Sequence, residues 1–295
     1  MVPWKELVGA LEAEPRVLTG SAQADLTQTP GVQPGTQPGT QVISSAQGIN
    51  LSGAPEFTRA INLSEITDTQ YLVLINHEYA VKNKPSNWQM MSAWPLVPAA
   101  DMSISLHQTT MGAVENLIND AQKAGAGNFY ISSGYRDYNE QAQLYKDTSD
   151  KATVQKPNHS EHQTGLAADI VALSYTYNSA GESIEEKWLA QNSWRYGLIA
   201  RYSEDKRDIT RIAGEPWHFR YIGQPHAWYC WANDLCFEEY LQFLKNSGGY
   251  SVTLDGITYH VAYERPDKGM IHMPENMSFT VSSDNTGGYI ITAWE

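Results

Sequence analysis

The sequence predicts a mixed fold of helices and strands that ends in a small β-rich segment. Three observations support this expectation. Short apolar runs typical of strands are interspersed with helical periodicity between about residues 71 and 245. Beyond Gly248 and Gly249, apolar and polar residues alternate around turn signals such as Asp255-Gly256. The first 60 residues, in contrast, include an uncharged Pro-Gly-Thr-Gln repeat with few large apolar side chains.

Three segments follow from these changes in pattern. Residues 1–60 are predicted to be a flexible tether, because the repeat at 27–41 cannot bury enough apolar surface to offset the entropy lost on ordering. Residues 61–246 are predicted to form the main domain. Residues 247–295 are predicted to form a small β-rich appendage, which is short for an independent domain and is expected to pack on the main one.

Within the main domain, the local pattern predicts individual elements. Strands are predicted at residues 71–76, 129–132 and 167–173, where short apolar runs are rich in β-branched or aromatic residues. Helices are predicted at 109–124, 139–145, 185–196 and 238–245. The first of these helices has the clearest apolar spacing and ends near Gly125, a typical C-cap. Residues 209–222 are expected to form a hairpin or a bent strand pair.

Charge and hydropathy exclude two classes of function. The chain has 33 acidic and 20 basic residues and a formal charge of −13, whereas a protein that tracks nucleic-acid phosphates needs a basic face. We therefore expect no nucleic-acid partner. No apolar run approaches the roughly 18 residues of a membrane span. Two alternatives for the compartment stay open at this point: a cytoplasmic protein, or an exported one whose anchor is missing from this sequence.

The two cysteines, Cys230 and Cys236, carry little information by themselves. Five residues separate them, so that either a short disulfide or a pair of ordinary thiols fits the spacing. Two cysteines do not suffice for a four-thiolate zinc site.

A candidate metal site begins with an acidic residue in an apolar segment. Asp169 lies inside the predicted strand from Leu166 to Leu173, and His162 precedes it by seven residues. A buried carboxylate is destabilising unless a cation or hydrogen bonds compensate it. A metal ion shared with His162 is the simplest compensation. An Asp that caps a turn, with a His at the surface, is the alternative on these residues alone.

A second stretch strengthens the metal hypothesis. Glu215 and His218 lie three residues apart among aromatic residues. Two His and one Asp form a three-ligand zinc set that leaves the fourth position for water, and Glu215 is the available carboxylate to act as general base. Residues three apart point to opposite faces of a regular strand. Their convergence therefore requires a bend or bulge, which Pro216 favours.

The order and spacing of these motifs resemble the zinc D-alanyl-D-alanine carboxypeptidases of the VanY type and their L,D-carboxypeptidase relatives. The similarity extends from about Tyr71 to Leu244. The motifs that carry it are Ser133-Gly-Tyr-Arg136 with Gln141 following, Ser160-x-His162-x-x-Gly165-x-Ala167-x-Asp169, Trp188-Leu189, Tyr196-Gly-Leu-Ile-x-Arg201-Tyr202 and Glu215-Pro-Trp-His218-x-Arg-Tyr.

The resemblance implies an α+β fold with a compact central antiparallel sheet flanked by helices, and makes residues 61–246 a zinc carboxypeptidase catalytic domain. It implies that one zinc ion per chain is bound by His162, Asp169 and His218. Glu215 would then be the catalytic base.

The resemblance also assigns residues that contact the substrate. Arg136 would stabilise the oxyanion or bind a carbonyl or carboxylate of the substrate, a function that suits the rigid fork of a guanidinium. Gln141, Ser160 and Tyr202 match positions that line the substrate pocket, although structural hydrogen bonding is an alternative for each. Trp217 is expected to pack beside the metal.

The implied reaction removes the terminal D-alanine from peptidoglycan stem pentapeptides. The alternatives are L,D-carboxypeptidase action on stem tetrapeptides and a non-catalytic, zinc-containing cell-wall-binding module, against which Glu215 and Arg136 argue. The implied protein is an extracytoplasmic monomer, with residues 1–60 leading to a missing N-terminal membrane anchor. That compartment favours a disulfide between Cys230 and Cys236. Whether the protein contributes to vancomycin resistance or to routine wall maturation stays open.

Overall fold

The computed structural model of the chain describes residues 41–42, 55–151, 153–174 and 183–295. All of them belong to one compact unit that spans Thr40–Glu295. The predicted tether, residues 1–60, lies outside the described residues except at 41–42 and from residue 55 onward, and it stays a prediction.

The described residues contain strands and helices in mixed order along the chain. The strands are β1 (Gln41–Val42), β2 (Phe57–Asn62), β3 (Met90–Ser92), β4 (Ser105–His107), β5 (Phe129–Ser133), β6 (Ala167–Ala172), β7 (Leu198–Tyr202), β8 (Glu215–Tyr221), β9 (Gly249–Leu254), β10 (Ile257–Glu264), β11 (Met270–Pro274), β12 (Ser278–Ser283) and β13 (Tyr289–Trp294). The α-helices are α1 (Gln108–Lys123), α2 (Tyr138–Asp147), α3 (Ile184–Asn192), α4 (Arg207–Thr210), α5 (Gln224–Asn233) and α6 (Phe237–Ser247). None of these helices is long and apolar enough to cross a membrane.

Two antiparallel sheets dominate the fold. A four-stranded sheet has the order β5-β6-β8-β7, and a five-stranded sheet has the order β1-β9-β10-β13-β12. Two further antiparallel pairs, β2 with β11 and β3 with β4, complete the strand pairing. This arrangement confirms the predicted α+β class with an antiparallel sheet and helices packed against it.

The helix α1 covers one face of the four-stranded sheet. Its apolar positions recur at helical spacing, and all of them are buried against side chains of β5, β6 and β8. These positions are Met111, Val114, Leu117, Ile118 and Ala121. Burial of each large apolar side chain contributes about 1.5–3 kcal/mol, so that this interface anchors the sheet that carries the candidate site.

The C-terminal strands share a core with the last two helices. Trp228 of α5 and Tyr240 of α6 are buried in one cluster with Tyr250 of β9. At the start of β9, a Cβ at Gly249 would lie 2.0 Å from the carbonyl oxygen of Val261, so that only glycine allows the strands to approach. The division of the chain at residue 247 stays a prediction, within a unit that is continuous from Thr40 to Glu295.

The predicted strand at residues 71–76 is wrong. This segment is buried but not paired in a sheet. Its carbonyl oxygens are hydrogen-bonded by a side chain instead of by the backbone of a neighbouring strand. Arg220 Nη2 donates to the carbonyl oxygens of Tyr71 and Val73 at 3.0 Å each. Leu72 N donates to Ser282 Oγ at 2.9 Å. The apolar run therefore indicated burial correctly but not how the backbone is hydrogen-bonded.

Two other predicted elements differ from the structure. Residues 209–222 do not form a hairpin, because residues 207–210 form the helical turn α4, which ends at Arg211 in the left-handed region with φ +62°. The strand β8 pairs instead with β7 and β6. The predicted helix at 185–196 is α3 followed by a 3₁₀ turn, Ser193–Tyr196, that ends at Gly197 with φ +75°.

The disulfide between Cys230 and Cys236 is not formed. Both side chains are buried free thiols. Burial raises the pKa of the Cys236 thiol to about 12 and raises that of Cys230 as well. Because thiolates rather than thiols are nucleophilic, this pair is unreactive in its buried setting.

Candidate metal centre and active site

Strand pairing brings two of the predicted ligands together. Asp169 of β6 and His218 of β8 are direct partners in the antiparallel register. His162 lies in a 3₁₀ turn, Glu161–Thr164, which Gly165 ends at φ +71°. A Cβ at Gly165 would lie 3.0 Å from the backbone nitrogen of His107, so that glycine allows the turn to approach β4. One potential ligand atom from each of the three residues lies within 4.8 Å of the others.

Hydrogen bonds determine which nitrogen of each imidazole is available to a metal ion. His162 Nδ1 lies 2.6 Å from the carbonyl oxygen of Gly134, which only accepts, and so Nε2 faces the site. His218 Nε2 lies 3.3 Å from Glu161 Oε2, so that Nδ1 faces the site instead. Asp169 Oδ1 is buried without a hydrogen-bond partner among the described residues. Three potential ligand atoms thus lie within 4.8 Å of one another.

Two of the separations between these atoms, and the chemistry of all three, match a zinc site. Asp169 Oδ1 lies 3.4 Å from His162 Nε2 and 3.2 Å from His218 Nδ1. A tetrahedral zinc ion with bonds of about 2.0–2.1 Å separates its ligand atoms by about 3.3–3.4 Å. Two imidazole nitrogens and one carboxylate oxygen form a donor set that catalytic zinc sites use. The residues therefore fit a zinc ion.

Burial and neighbouring charges shift the pKa values of these groups. Burial, reinforced by the Arg136 guanidinium, lowers the pKa of His162 to about 4. Burial alone would lower the pKa of His218, but its contacts with Asp169 and Glu161 raise it to about 9. Burial alone would raise the pKa of Asp169, but the two imidazoles hold it well below its usual range. Without a metal ion, the positive charge of a protonated His218 therefore offsets the charge of Asp169 near neutral pH, as a bound cation would.

Glu215 lies beside this set because β8 is irregular. Ala200 pairs with Phe219 and Tyr202 pairs with Glu215, so that three residues of β8 lie opposite one residue of β7. This bulge brings Glu215 Oε2 to 3.7 Å from His218 Nδ1, which confirms the predicted bend. Burial, together with the charge of Asp169, outweighs the opposing effect of His218 and raises the pKa of Glu215 to about 7.

Arg136 is held rigidly at the edge of the site. Its Nη1 donates to Ser133 Oγ at 2.6 Å, and its Nε donates to Gln141 Oε1 at 2.9 Å. Neither bond uses Nη2. Burial lowers the pKa of Arg136, and the charges of Asp169 and Glu215 oppose that lowering, because the guanidinium lies near both carboxylates.

The four other predicted site residues surround this arrangement in different ways. Gln141 is fully buried and donates through Nε2 to the carbonyl oxygen of Gln155 at 2.6 Å, so that both ends of its amide are engaged within the protein. Tyr202 is buried with its ring centroid 4.8 Å from that of His218. Ser160 is buried where the 3₁₀ turn begins, and Trp217 is half-buried in the bulge of β8. Their contacts with substrate stay predictions, and for Gln141 the geometry favours the structural alternative.

A set of buried charged residues next to His218 Nε2 was not predicted from the sequence. Glu161, Arg201 and Arg220 are each 1% exposed or less, and Glu161 forms an ion pair with each of the two arginines. All three lie within the motifs quoted above. Arg201 and Arg220 each lie between apolar or aromatic residues, a signal like that of Asp169, but Glu161 lies between Ser160 and His162, and the sequence does not show which charges pair.

Comparisons with known proteins identify a family and several relatives that this chain resembles. Residues 103–224 match the family model VanY, described as D-alanyl-D-alanine carboxypeptidase. A D-alanyl-D-alanine carboxypeptidase of Enterococcus faecium is 33% identical over 254 residues, which cover 82% of this chain and 82% of that protein.

Two solved structures are similar over much of the chain. The vancomycin-resistance D,D-dipeptidase VanXYg, in complex with a D-Ala-D-Ala phosphinate analogue, has a TM-score of 0.68 at 28% identity and covers 80% of this chain and 98% of its own. The LD-carboxypeptidase LdcB has a TM-score of 0.53 at 29% identity and covers 60% of this chain and 97% of its own. Together with the Enterococcus relative, these likenesses define a peptidase of the carboxypeptidase class. The chain belongs to the VanY family of D-alanyl-D-alanine carboxypeptidases.

Proposed function

We propose that this chain is a zinc-dependent carboxypeptidase that removes the terminal D-alanine from peptidoglycan stem pentapeptides. The observation that carries the proposal is the convergence of His162 Nε2, Asp169 Oδ1 and His218 Nδ1, with Glu215 Oε2 3.7 Å from the last of these atoms. Three protein ligands with a carboxylate beside them form the arrangement of a catalytic rather than a structural zinc site.

Glu215 serves as the general base in this proposal. A zinc ion, when bound, supplies Lewis acidity that acidifies water and polarises the scissile carbonyl group. The Glu215 carboxylate accepts the proton of the attacking water and then delivers it to the amine nitrogen of the departing D-alanine as the C–N bond breaks. Burial favours both steps, because it raises the pKa of the Glu215 carboxyl and makes the carboxylate a stronger base than an exposed glutamate.

Arg136 orients the substrate. Because Ser133 and Gln141 hold Nη1 and Nε, the plane of the guanidinium is fixed and Nη2 is left for a substrate oxygen. A fixed donor costs little reorganisation when charge develops on the carbonyl oxygen. The same donor would also bind the C-terminal carboxylate of the stem peptide.

The similarity of this chain to known proteins supports D,D-carboxypeptidase activity over L,D-carboxypeptidase activity. The Enterococcus faecium relative, which matches 82% of the chain, is named a D-alanyl-D-alanine carboxypeptidase. The structure with the D-Ala-D-Ala phosphinate analogue matches 80% of the chain, and the LD-carboxypeptidase matches 60%. L,D-carboxypeptidase action on tetrapeptides is the second candidate, supported by that LD-carboxypeptidase. A non-catalytic wall-binding module would have no use for a base aligned as Glu215 is.

Mass spectrometry of three purified substrates separates these functions. Stem pentapeptide, stem tetrapeptide and the D-Ala-D-Ala dipeptide are each incubated with the zinc-loaded protein. Loss of one alanine from the pentapeptide alone is the expected result. Cleavage of the tetrapeptide would establish the L,D-activity, cleavage of the dipeptide a dipeptidase activity, and no cleavage the silent module.

The proposed function also implies a cellular location and an oligomeric state for the protein. The protein would meet a stem-peptide substrate of the cell wall outside the cytoplasmic membrane, and it would act there as a monomer. A function in vancomycin resistance, the property named for VanXYg, belongs to the same proposal. Protease treatment of intact cells with the wall removed tests the location, because an extracytoplasmic protein is digested and a cytoplasmic one is protected.

A further inference from the structure

A fully buried carboxylate connects His218 to two arginines. Glu161 Oε1 accepts from Arg201 Nε at 2.9 Å and from Arg220 Nη1 at 3.0 Å. Glu161 Oε2 lies 3.3 Å from His218 Nε2. One carboxylate oxygen is therefore held by two guanidinium groups, and the other is left for the imidazole.

Each of the two arginines is also held by hydrogen bonds to groups other than Glu161. Arg201 Nη1 and Nη2 donate to the two carboxylate oxygens of Glu238 at 2.9 and 2.7 Å. Arg220 Nη2 donates to the carbonyl oxygens of Tyr71 and Val73. Bidentate and multiple charge-assisted bonds leave a guanidinium little freedom to rotate. The position of Glu161 is thus determined by two rigid partners rather than by His218.

The charge on Glu161 determines which nitrogen of His218 carries a proton. A carboxylate paired with two guanidinium groups, as Glu161 is with Arg201 and Arg220, only accepts hydrogen bonds. His218 Nε2 must then be the protonated nitrogen, and Nδ1 is left to face Asp169. His162 has the opposite arrangement, with its Nδ1 held by the carbonyl oxygen of Gly134.

We propose that Glu161 is a positioning residue that fixes His218 in the tautomer and orientation that present Nδ1 to zinc. This inference rests on the proposed function, in which His218 is a zinc ligand. Carboxylates that bind the distal nitrogen of a ligand histidine orient the ring and raise its basicity, and their loss weakens metal affinity about 10–100-fold.

The substitution Glu161→Gln tests this assignment sharply. The two arginines offer charged donors, so that the amide oxygen of glutamine will take the place of Oε1. Its NH₂ group then faces His218 Nε2 as a donor, which forces the proton of a neutral imidazole onto Nδ1. Because that proton occupies the coordinating lone pair, we expect the zinc dissociation constant to rise about 10–100-fold.

Glu238→Gln is the matched control. It also removes a buried ionic partner of Arg201, but Glu238 does not contact His218. Zinc dissociation constants of both variants and of the wild type are measured by competition with a chromophoric chelator, and the melting temperature of each metal-free protein is recorded. We expect both variants to be destabilised and only Glu161→Gln to lose zinc affinity. Equal zinc affinity in Glu161→Gln and wild type, or equal losses in the two variants, would overturn the assignment.

A measurement on the wild type covers the case in which Glu161→Gln does not fold. Nitrogen-15 NMR of the histidines in the zinc-loaded protein should show His218 protonated at Nε2 with Nδ1 bound to zinc. The reverse pattern at His218 would contradict the role of Glu161 while leaving the proposed function intact. A wild-type protein that binds no zinc would refute the proposed function, and this inference with it.

Discussion

Asp169 Oδ1 and His218 Nδ1 lie 3.2 Å apart, although Oδ1 has no hydrogen-bond partner among the described residues. The two residues are direct partners in the pairing of β6 with β8, so that the backbone of the sheet sets their separation. Tetrahedral zinc needs about the same separation between its ligand atoms. Strand register thus determines the positions of two of the three proposed zinc ligands, which would preorganise the site before an ion binds.

Zinc affinity should depend on pH through His218. Its pKa in the metal-free site is raised to about 9, so that below this pH zinc must displace a proton from Nδ1. We therefore expect the apparent association constant to fall about tenfold for each pH unit between about pH 8.5 and 6.5. His162, with its pKa lowered to about 4, adds no further dependence in that range. Chelator competition at several pH values measures the slope, and an affinity independent of pH would contradict the assignment of His218.

Replacement of Glu215 should abolish turnover without loss of the metal. Glu215→Gln keeps the size of the side chain but removes the base, and we expect kcat to fall about 10²–10⁴-fold. Zinc content, measured by elemental analysis, should stay near one ion per chain, because the three ligands are intact. Wild-type activity in Glu215→Gln or Glu215→Ala would show that another group accepts the proton.

The acid limb of the pH–rate profile should report Glu215. Burial raises its pKa to about 7, and a nearby zinc cation lowers it from that value toward the ordinary one. The base must be ionised to act, so kcat/KM should decline about tenfold per pH unit below an apparent pKa between about 4.5 and 7. Zinc content at each pH is the control, because metal loss also lowers activity. A rate that rises as the pH falls from 7 to 5 would exclude Glu215 as the base.

Gln141 should affect catalysis through Arg136. Gln141→Met removes the acceptor for Arg136 Nε while keeping a side chain of similar length. We expect kcat/KM to fall about tenfold, equivalent to about 1.4 kcal/mol of transition-state stabilisation, with unchanged zinc affinity. Arg136→Ala should cost more, and the double variant should be no worse than Arg136→Ala alone. Full additivity of the two losses would mean that Gln141 acts independently of Arg136.

Arg220 should be essential for stability. Arg220→Ala leaves Glu161 without one of its arginines and the carbonyl oxygens of Tyr71 and Val73 without their donor. Breaking a buried ion pair from one side costs about 3–5 kcal/mol of unfolding free energy, which denaturant titration measures. The control is Arg207→Ala, which breaks an exposed pair with Glu204 and should cost about 0–1 kcal/mol. Similar losses in the two variants would contradict the role of Arg220.

The sequence predicted the candidate ligands because their chemistry is local. Asp169 lies in an apolar strand and requires compensation, and a few residues of spacing bring His162 near it. The pairing of Glu161 with Arg201 and Arg220 joins positions 40 and 59 residues apart. No local pattern contains that information, because strand register and loop paths determine it.

The misassigned strand at residues 71–76 has a related cause. Apolar periodicity indicates burial, and this segment is buried. The carbonyl oxygen of Tyr71 accepts a hydrogen bond from the side chain of Arg220, which lies 149 residues later in the sequence. Local periodicity contains no information about a partner at that distance. The bend that joins Glu215 to His218, in contrast, was predicted from Pro216 because proline and bulges act within a few residues.

A zinc titration of the metal-stripped protein tests the central claim most directly. The chelator-treated chain is titrated with zinc while release of D-alanine from the stem pentapeptide is measured. We expect no activity at the start, a linear rise, and saturation at one equivalent of zinc, with no such recovery in His218→Ala. Full D-alanine release by protein that elemental analysis shows to be free of metal would contradict the proposed function.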